Sequence, residues 1–316
     1  MRLVLGVVAA ILGIGLTVVT LIPLSPSSAW WVRMWEFPRL HLLVLALLTI
    51  PLAAWATPKG ARGWTILACL IVAGVQTWWV WRYMPWTGEE IAFAEGEGIR
   101  VAALNVLQGN RDHDAVRDWI AEADADVLVL METDAVWAEA LAPALEGYAL
   151  QASHIDDDHY GMIFASRLPG EAEMRFPSRD DEPAAVARLD TPSGPMVVVG
   201  LHPHPPVPGT GTEARDRQIA LAARLGADLD LPVVAVGDYN DVVWSRDSMR
   251  YREIGGFADP RAGRGLMASF DATSWWLRVP IDQALVTEGI DVHGFALGPF
   301  VGSDHFPVIL DVSPQG

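Results

Sequence analysis

Three long apolar runs within the first 90 residues constrain this chain more than any other feature. Arg2 to Leu24 is apolar apart from its leading Arg and two Thr, and segments 40–56 and 64–81 hold no Asp, Glu, Lys or Arg. A helix of about 20 apolar residues spans a bilayer, and fewer suffice where flanking groups reach the interface. Trp30, Trp31, Trp35, Trp64, Trp78, Trp79, Trp81 and Trp86 gather at the ends of these runs, where an indole prefers the headgroup level. Residues 1–86 are therefore read as a membrane anchor of three transmembrane helices, about 2–24, 40–56 and 64–81. The first run is longer than a signal-peptide core and has a single charge at its flank, so it reads as a span.

Beyond residue 90 the chain is a different physical object. Its 226 residues carry 16 Arg against 36 Asp and Glu, a formal charge of −20, whereas residues 1–90 carry nine charged side chains in all. Basic residues barely orient the anchor, since Arg2, Lys59 and Arg62 would face one side and Arg33, Arg39 and Arg82 the other. The compact basic connector "TPKGARG" reads as a cytoplasmic loop, and "WWVRMWEFPR" as an outer one. Three spans then deliver the remainder outside the cytoplasm. One Lys against 21 Arg suggests a GC-rich genome, so the expected location is a bacterial inner membrane, multi-pass, with the large domain periplasmic or extracellular. The one cysteine, Cys69, lies in the third run, which excludes disulfides and thiolate metal sites from the domain. Gln76, also in that run, reads as a tolerated amide near a helix end.

After a Gly- and Glu-rich linker at 87–98, strands and helices alternate over 99–316. Strand-like segments are "IRVAALNVL", "DVLVLMET", "YALQAS", "GMIFAS", "AVARLD", "MVVVGLH", "PVVAVGDYN", "IDQALV", "VHGFAL" and "FPVILDV". Helical ones are "DHDAVRDWIAEA", "DAVWAEALAPAL" and "TEARDRQIALAARLGADL". The order predicts an α/β (α+β) architecture of sheets packed face to face with helices outside.

Several of these strands end in polar groups that a buried strand does not need. Asn105, Glu132, His202, Asp238 with Asn240, Asp282, and Asp304 with His305 all stand at strand mouths. A carboxylate ending a run as apolar as "DVLVLM" is costly to desolvate unless it meets a cation or a donor. Glu132, Asp238, Asp304 and the amide oxygens of Asn105 or Asn240 are hard ligands suited to Mg2+ or Mn2+. Residues 238 and 240 point the same way in an extended segment. A divalent ion, a His and carboxylates are the parts for hydrolysing a phosphate ester.

Taken in order and spacing, the segments with Asn105, Glu132, His202, "GDYN", "ID" and "SDH" resemble the endonuclease/exonuclease/phosphatase superfamily, in particular its bacterial membrane-anchored subgroup. The resemblance implies a four-layer sandwich of two β-sheets flanked by helices, and a divalent-metal-dependent phosphoesterase. It implies Glu132 as principal metal ligand with Asn105 and Asp304 in support. It gives Asp238 the attacking water, and Asn240 that water and the phosphate. His305 would contact phosphate with its ring fixed by Asp282, and His202 would donate to a phosphate oxygen.

Some positions are left open by this reading. Gln283 stands where relatives often carry His or Tyr. His204 competes with His202, which is preferred because it directly follows its strand. Asn110 reads as a helix-start residue, and "HIDDDHY" as a solvated loop tip. Arg246, Arg250, Arg252, Arg261, Arg264 and Arg278 are a candidate phosphate patch or a balance for nearby acids. The expected partners are a phosphate-ester substrate and the bilayer. Nucleic acid is disfavoured, because phosphate binding draws on basic footprints that a domain at −20 lacks in bulk. Nuclease, phospholipid esterase and sugar-phosphate esterase remain alternatives, as does a catalytically inactive, membrane-tethered binding module on the same fold.

Overall fold

The computed structural model describes residues 1–177, 182–209, 211–228 and 230–315. Two compact units divide the chain: Met1–Met84 with Pro206–Thr212, and Pro85–Pro205 with Glu213–Gly316.

The first unit is helical: α1 (Arg2–Leu21), the single turn α2 (Trp30–Arg33), α3 (Arg39–Ala56) and α4 (Lys59–Val80). Three stretches, Arg2–Leu24, Arg39–Ala56 and Lys59–Tyr83, are long and apolar enough to cross a membrane. The basic connector is shorter than expected. Pro58 precedes the first helical residue and Lys59 to Arg62 form the first turn of α4. Small residues let α1 and α3 approach closely, for a Cβ on Gly6 would lie 2.5 Å from the Ala56 carbonyl oxygen. Gln76 is not merely tolerated. It is buried, donates to Thr20 Oγ1 (2.9 Å) and accepts from Arg39 (3.3 Å). Gly211 bridges Ala29, and the Thr212 N–H donates to Ser28 O, which holds the 206–212 loop within this unit.

In the second unit the strands are β1 (Ile99–Asn105), β2 (Val127–Met131), β3 (Leu150–His154), β4 (Met162–Ser166), β5 (Gly170–Arg175), β6 (Ala184–Thr191), β7 (Gly194–Leu201), β8 (Val233–Asp238), β9 (Asp282–Val286), β10 (Ile290–Leu297) and β11 (Val308–Pro314). They form a six-stranded sheet, β10-β11-β1-β2-β4-β3, and a five-stranded sheet, β5-β6-β7-β8-β9. β2, β4 and β8 are buried along their whole length, which explains their unbroken apolar sequence. Side chains such as Val129, Phe164, Val198 and Val236 fill the space between the sheets. The outer face of the first sheet packs on α5 (His113–Ala123) and α6 (Ala135–Leu145), and that of the second on α7 (Glu213–Asp228) and α8 (Arg246–Gly255). The result is the four-layer sandwich. Asp112, Asp134 and Ser245 cap α5, α6 and α8 by accepting backbone N–H bonds.

Two elements differ from the sequence reading. β5, "GEAEMR", is an edge strand with charged side chains outward, so it lacks the apolar signal used to find strands. α8 lies within the Arg-rich segment and buries only part of one face. Segment 87–98, expected as a linker, lies along the domain. Ala94 N donates to Val292 O (2.7 Å), and Ile91 and Phe93 pack on the inter-sheet core.

Sheet register fixes where the polar residues meet. β1 and β2 run parallel with Asn105 beside Met131, and β7 and β8 run parallel with Leu201 beside Gly237. β9 returns antiparallel to β8, and Asp238 and Asp282 are direct partners. β11 returns antiparallel to β1, with Val308 opposite Ala103. The ends of β1, β2, β7 and β8 and the starts of β9 and β11 therefore share one edge of the sandwich. Gly237 is needed there, because at φ 141° a Cβ would lie 2.1 Å from the Leu201 carbonyl oxygen.

Candidate active site

Glu132 follows the last residue of β2 at φ 62°, a conformation uncommon outside glycine and found where surrounding structure imposes it. The turn aims its carboxylate along the shared edge. There Oε1 accepts from Asn105 Nδ2 (2.8 Å), while Oε2 accepts from Gln108 N (3.0 Å) and lies 3.2 Å from His159 Nδ1. Burial works against its charge, yet the His202 ring and these donors hold its carboxyl below the usual range. Asn105 also donates to Asp238 Oδ2 (3.2 Å), and its oxygen accepts from Leu107 N (3.0 Å). The amide thus locks Glu132 and Asp238 in place.

Across the edge, Asp238 is buried beneath two imidazoles, with Oδ2 lying 3.7 Å from His202 Nε2 and 3.6 Å from His305 Nε2. Its Oδ1 accepts from Asn240 N (2.8 Å), and Asn240 Nδ2 donates to Pro203 O (2.9 Å). Asn240 sits at φ 47°, so the "GDYN" turn bends its side chain back toward the strand that carries His202. Burial and the neighbouring Asp282 raise the Asp238 pKa, although His305 and His202 oppose them.

His305 is the centre of this half of the site. Its Nδ1 is 2.8 Å from Asp282 Oδ2. Burial disfavours its charge, but Asp282 and Asp238 outweigh burial and push its pKa up to about 10. Ser303, the first residue of "SDH", serves as a tie rather than a nucleophile. Its hydroxyl donates to Asn105 O (2.7 Å) and accepts from His305 N (3.0 Å). Asp304 lies at the other end of the His305 ring from Asp282, its Oδ1 3.9 Å from Nε2. Burial and the charge of Glu132 raise the Asp304 pKa, although His305 opposes them, and its buried Oδ1 has no hydrogen-bond partner among the described residues.

Residues Glu132 and Asp304 fit a divalent ion. They are two hard oxygen donors close enough to repel, and the buried Oδ1 of Asp304 makes no hydrogen bond among the described residues, with His305 Nε2 at 3.9 Å as its ion-pair contact. Asp238, Asp282 and His305 also bring ligand atoms within 4.8 Å of one another. In that group, however, His305 Nδ1 is already bonded to Asp282, so it is satisfied as an ion-paired cluster.

Several side groups turn out otherwise than the sequence suggested. "HIDDDHY" is more than a solvated tip: His159 reaches Glu132, and Tyr160 stacks on His204 (5.5 Å) and lies against His202 (5.9 Å). Its sequence gave no sign of this, because the approach depends on His159 at φ 69° and on Gln108 bridging to Asp157 O and His159 N. Asn110 is buried and bonds Val106 O and Val301 O, joining the loops that carry Gln108 and "SDH". Gln283 is buried and bonds Asp241 O and Ser248 Oγ, bracing the turn after "GDYN". The Arg segment is largely structural. Arg252 and Arg261 are buried against Asp259, Arg264 pairs with Glu89, Arg246 lies near Asp247 and Arg278 bonds Ser274 O.

Comparison with known proteins agrees with this architecture. No curated protein matches the chain. Among solved structures, an endonuclease/exonuclease/phosphatase from Beutenbergia cavernae is 19% identical, with a TM-score of 0.54 over 70% of this chain and 72% of that one. D. rerio TDP2 complexed with a single-strand DNA product is 14% identical, TM-score 0.56, covering 69% and 100%. A mannosyl-6-phosphatase from Bacteroides thetaiotaomicron is 18% identical, TM-score 0.53, covering 68% and 100%. Such distant likeness establishes the fold. The sequence profile of the Endonuclease/Exonuclease/phosphatase family matches residues 102–305, from β1 through His305, and the chain belongs to that family.

Proposed function

We propose that the chain is a divalent-metal-dependent phosphoesterase tethered to a membrane by its N-terminal helices, with the catalytic domain outside the cytoplasm. The observation that carries this reading is His305 held between Asp282 and Asp238 beside the Glu132 and Asp304 pair. Glu132 and Asp304 would hold the ion, and Asn105 would support it by fixing Glu132. A bound Mg2+ or Mn2+ would neutralise phosphate charge and lower the pKa of water.

Asp238 orients the attacking water and receives its proton, with Asn240 holding water and phosphate together. His305, kept cationic by its two carboxylates, faces the phosphate and stabilises the charge that grows in the transition state. His202 is the phosphate donor, since its buried Nδ1 has no hydrogen-bond partner among the described residues, whereas His204 Nδ1 lies 2.8 Å from Pro205 O. With most of the Arg segment paired within the fold, duplex nucleic acid is a poor match for a domain of this charge.

The test is turnover of bis(4-nitrophenyl) phosphate and 4-nitrophenyl phosphate by the purified full-length protein with Mg2+ or Mn2+. Hydrolysis of either is expected; none with either metal would make the chain an inactive module. Topology is tested separately by fusing alkaline phosphatase after Gly98. The fusion should be active in a bacterial host, and activity of a cytoplasmic reporter at that junction would reverse the orientation.

A further inference from the structure

Five tryptophans lie beyond residue 90, and they divide sharply. Trp119, Trp137 and Trp244 are core residues at 2%, 0% and 1% exposure, whereas the adjacent Trp275 and Trp276 are 86% and 58% exposed, followed by Leu277 at 48%. Comparable exposure of tryptophan occurs elsewhere, among the described residues, in the helical unit, as at Trp64 (74%) and Trp78 (80%), and at Trp86 (69%) just beyond it. An indole at 86% exposure close to a leucine at 48% is a standing cost in water unless something covers them.

The loop that presents them is built rather than slack. Phe270 and Val279 pair across its base. Asp271 O accepts from Ser274 N (3.1 Å), and Ser274 Oγ accepts from Leu277 N (3.1 Å). Arg278 turns inward, donating to Ser274 O (2.7 Å) and lying over the Phe306 ring (4.7 Å). The cation therefore braces the loop from within while the apolar side chains point out.

This loop is also part of the catalytic edge. Ala272 N donates to Asp304 O (2.7 Å), and the Phe270 ring lies 4.8 Å from the His305 ring. Whatever receives Trp275 and Trp276 is thereby held next to the residues proposed to bind metal and phosphate.

We propose that Trp275, Trp276 and Leu277 insert into the headgroup level of a lipid bilayer, and that the substrate is a phosphoester borne on a lipid of that bilayer. The inference rests on the phosphoesterase reading and narrows it to a substrate class. Indoles flanked by leucine partition to the membrane interface, and a chain with three helices able to span a bilayer keeps its domain beside one. The domain's formal charge of −20 offers no attraction to anionic lipid, so apolar insertion carries the contact. It also requires no desolvation of charge, since the loop's one cation is already bonded inside.

The test uses the full-length protein in phosphatidylcholine nanodiscs, with a fluorogenic phosphodiester lipid in the same bilayer or bis(4-nitrophenyl) phosphate in solution. The combined variant Trp275→Ser, Trp276→Ser, Leu277→Ser should lose about 10-fold or more in turnover of the lipid ester, as expected when interfacial anchors are removed. Turnover of the soluble ester should stay within about two-fold, since the loop's bracing bonds remain. A second readout does not depend on activity. With Cys69→Ser and Leu277→Cys, a nitrobenzoxadiazole label at position 277 should be quenched by lipid brominated near the headgroup. Absence of quenching, or equal losses on both esters, would overturn the proposal, as would a change of oligomeric state in the triple variant, which would assign the loop to a second copy. If the wild type hydrolysed neither ester, the phosphoesterase reading would fail, while quenching would still decide the loop's contact with lipid.

Discussion

Glu132→Gln is expected to weaken divalent-metal binding on the order of 100-fold or more, because even outer-shell partners of metal ligands contribute about 10- to 100-fold. The substitution keeps shape and hydrogen-bond reach but removes the charge that faces Asp304. It also places an amide against the Asn105 NH2 and Gln108 N–H groups that now donate to a carboxylate. Mn2+ titration followed by electron paramagnetic resonance on the purified full-length protein measures the change directly. An unchanged affinity would remove Glu132 from the metal site, whatever the variant's activity.

His305→Ala is expected to lower turnover of an activated phosphodiester by about 100-fold or more, the scale of a positioned acid–base or electrostatic group. Asp282→Asn should also lower it substantially, since it leaves the ring in place but removes the nearer of the two charges that keep it cationic. Residues that act as a unit are strongly non-additive, so the double variant should be little worse than His305→Ala alone. Multiplicative losses would mean that the two residues work independently.

The same pair sets a pH signature in the metal-free protein. His305 is raised above the ordinary histidine value of about 6.5 to about 10. Its ion pair therefore stabilises the fold fully below about pH 6.5, and that contribution is lost as pH rises through the folded pKa. Thermal unfolding of wild type should become easier over this window, and Asp282→Asn should flatten the dependence. Nitrogen-15 shifts of the ring, titrated in wild type and Asp282→Asn, read the pKa itself. A ring in wild type titrating near 6.5 would contradict the account.

Much of the site was legible because a buried strand has no reason to end in a charged group. Asn105, Glu132, His202, Asp238, Asp282 and His305 each interrupt an apolar run, and parallel β1/β2 and β7/β8 pairing brings their ends to one edge. His159 and Gln108 were not legible, because they belong to no run. They reach Glu132 only through backbone turns, with Leu107 at φ 58° and His159 at φ 69°. The Arg segment stayed open in the sequence, as a phosphate patch or a balance for nearby acids. Arg261 is fully buried, bonding Asp259 and Asp282 O, a use of charge that depends on bringing the loop after α8 against the start of β9. The same limit explains Gln283, whose neighbours Asp241 and Ser248 lie 42 and 35 residues away.

The central claim is that these strand ends form one metal-dependent hydrolytic site, and stripping and reloading the metal tests it most directly. Full-length protein is treated with EDTA, freed of chelator, and titrated with Mg2+ or Mn2+ while hydrolysis of bis(4-nitrophenyl) phosphate is followed. The account predicts turnover lost on stripping and restored by either ion, with little restoration in Glu132→Gln at the same concentration. Turnover that survives stripping undiminished, or a Glu132→Gln variant restored as readily as wild type, would contradict it.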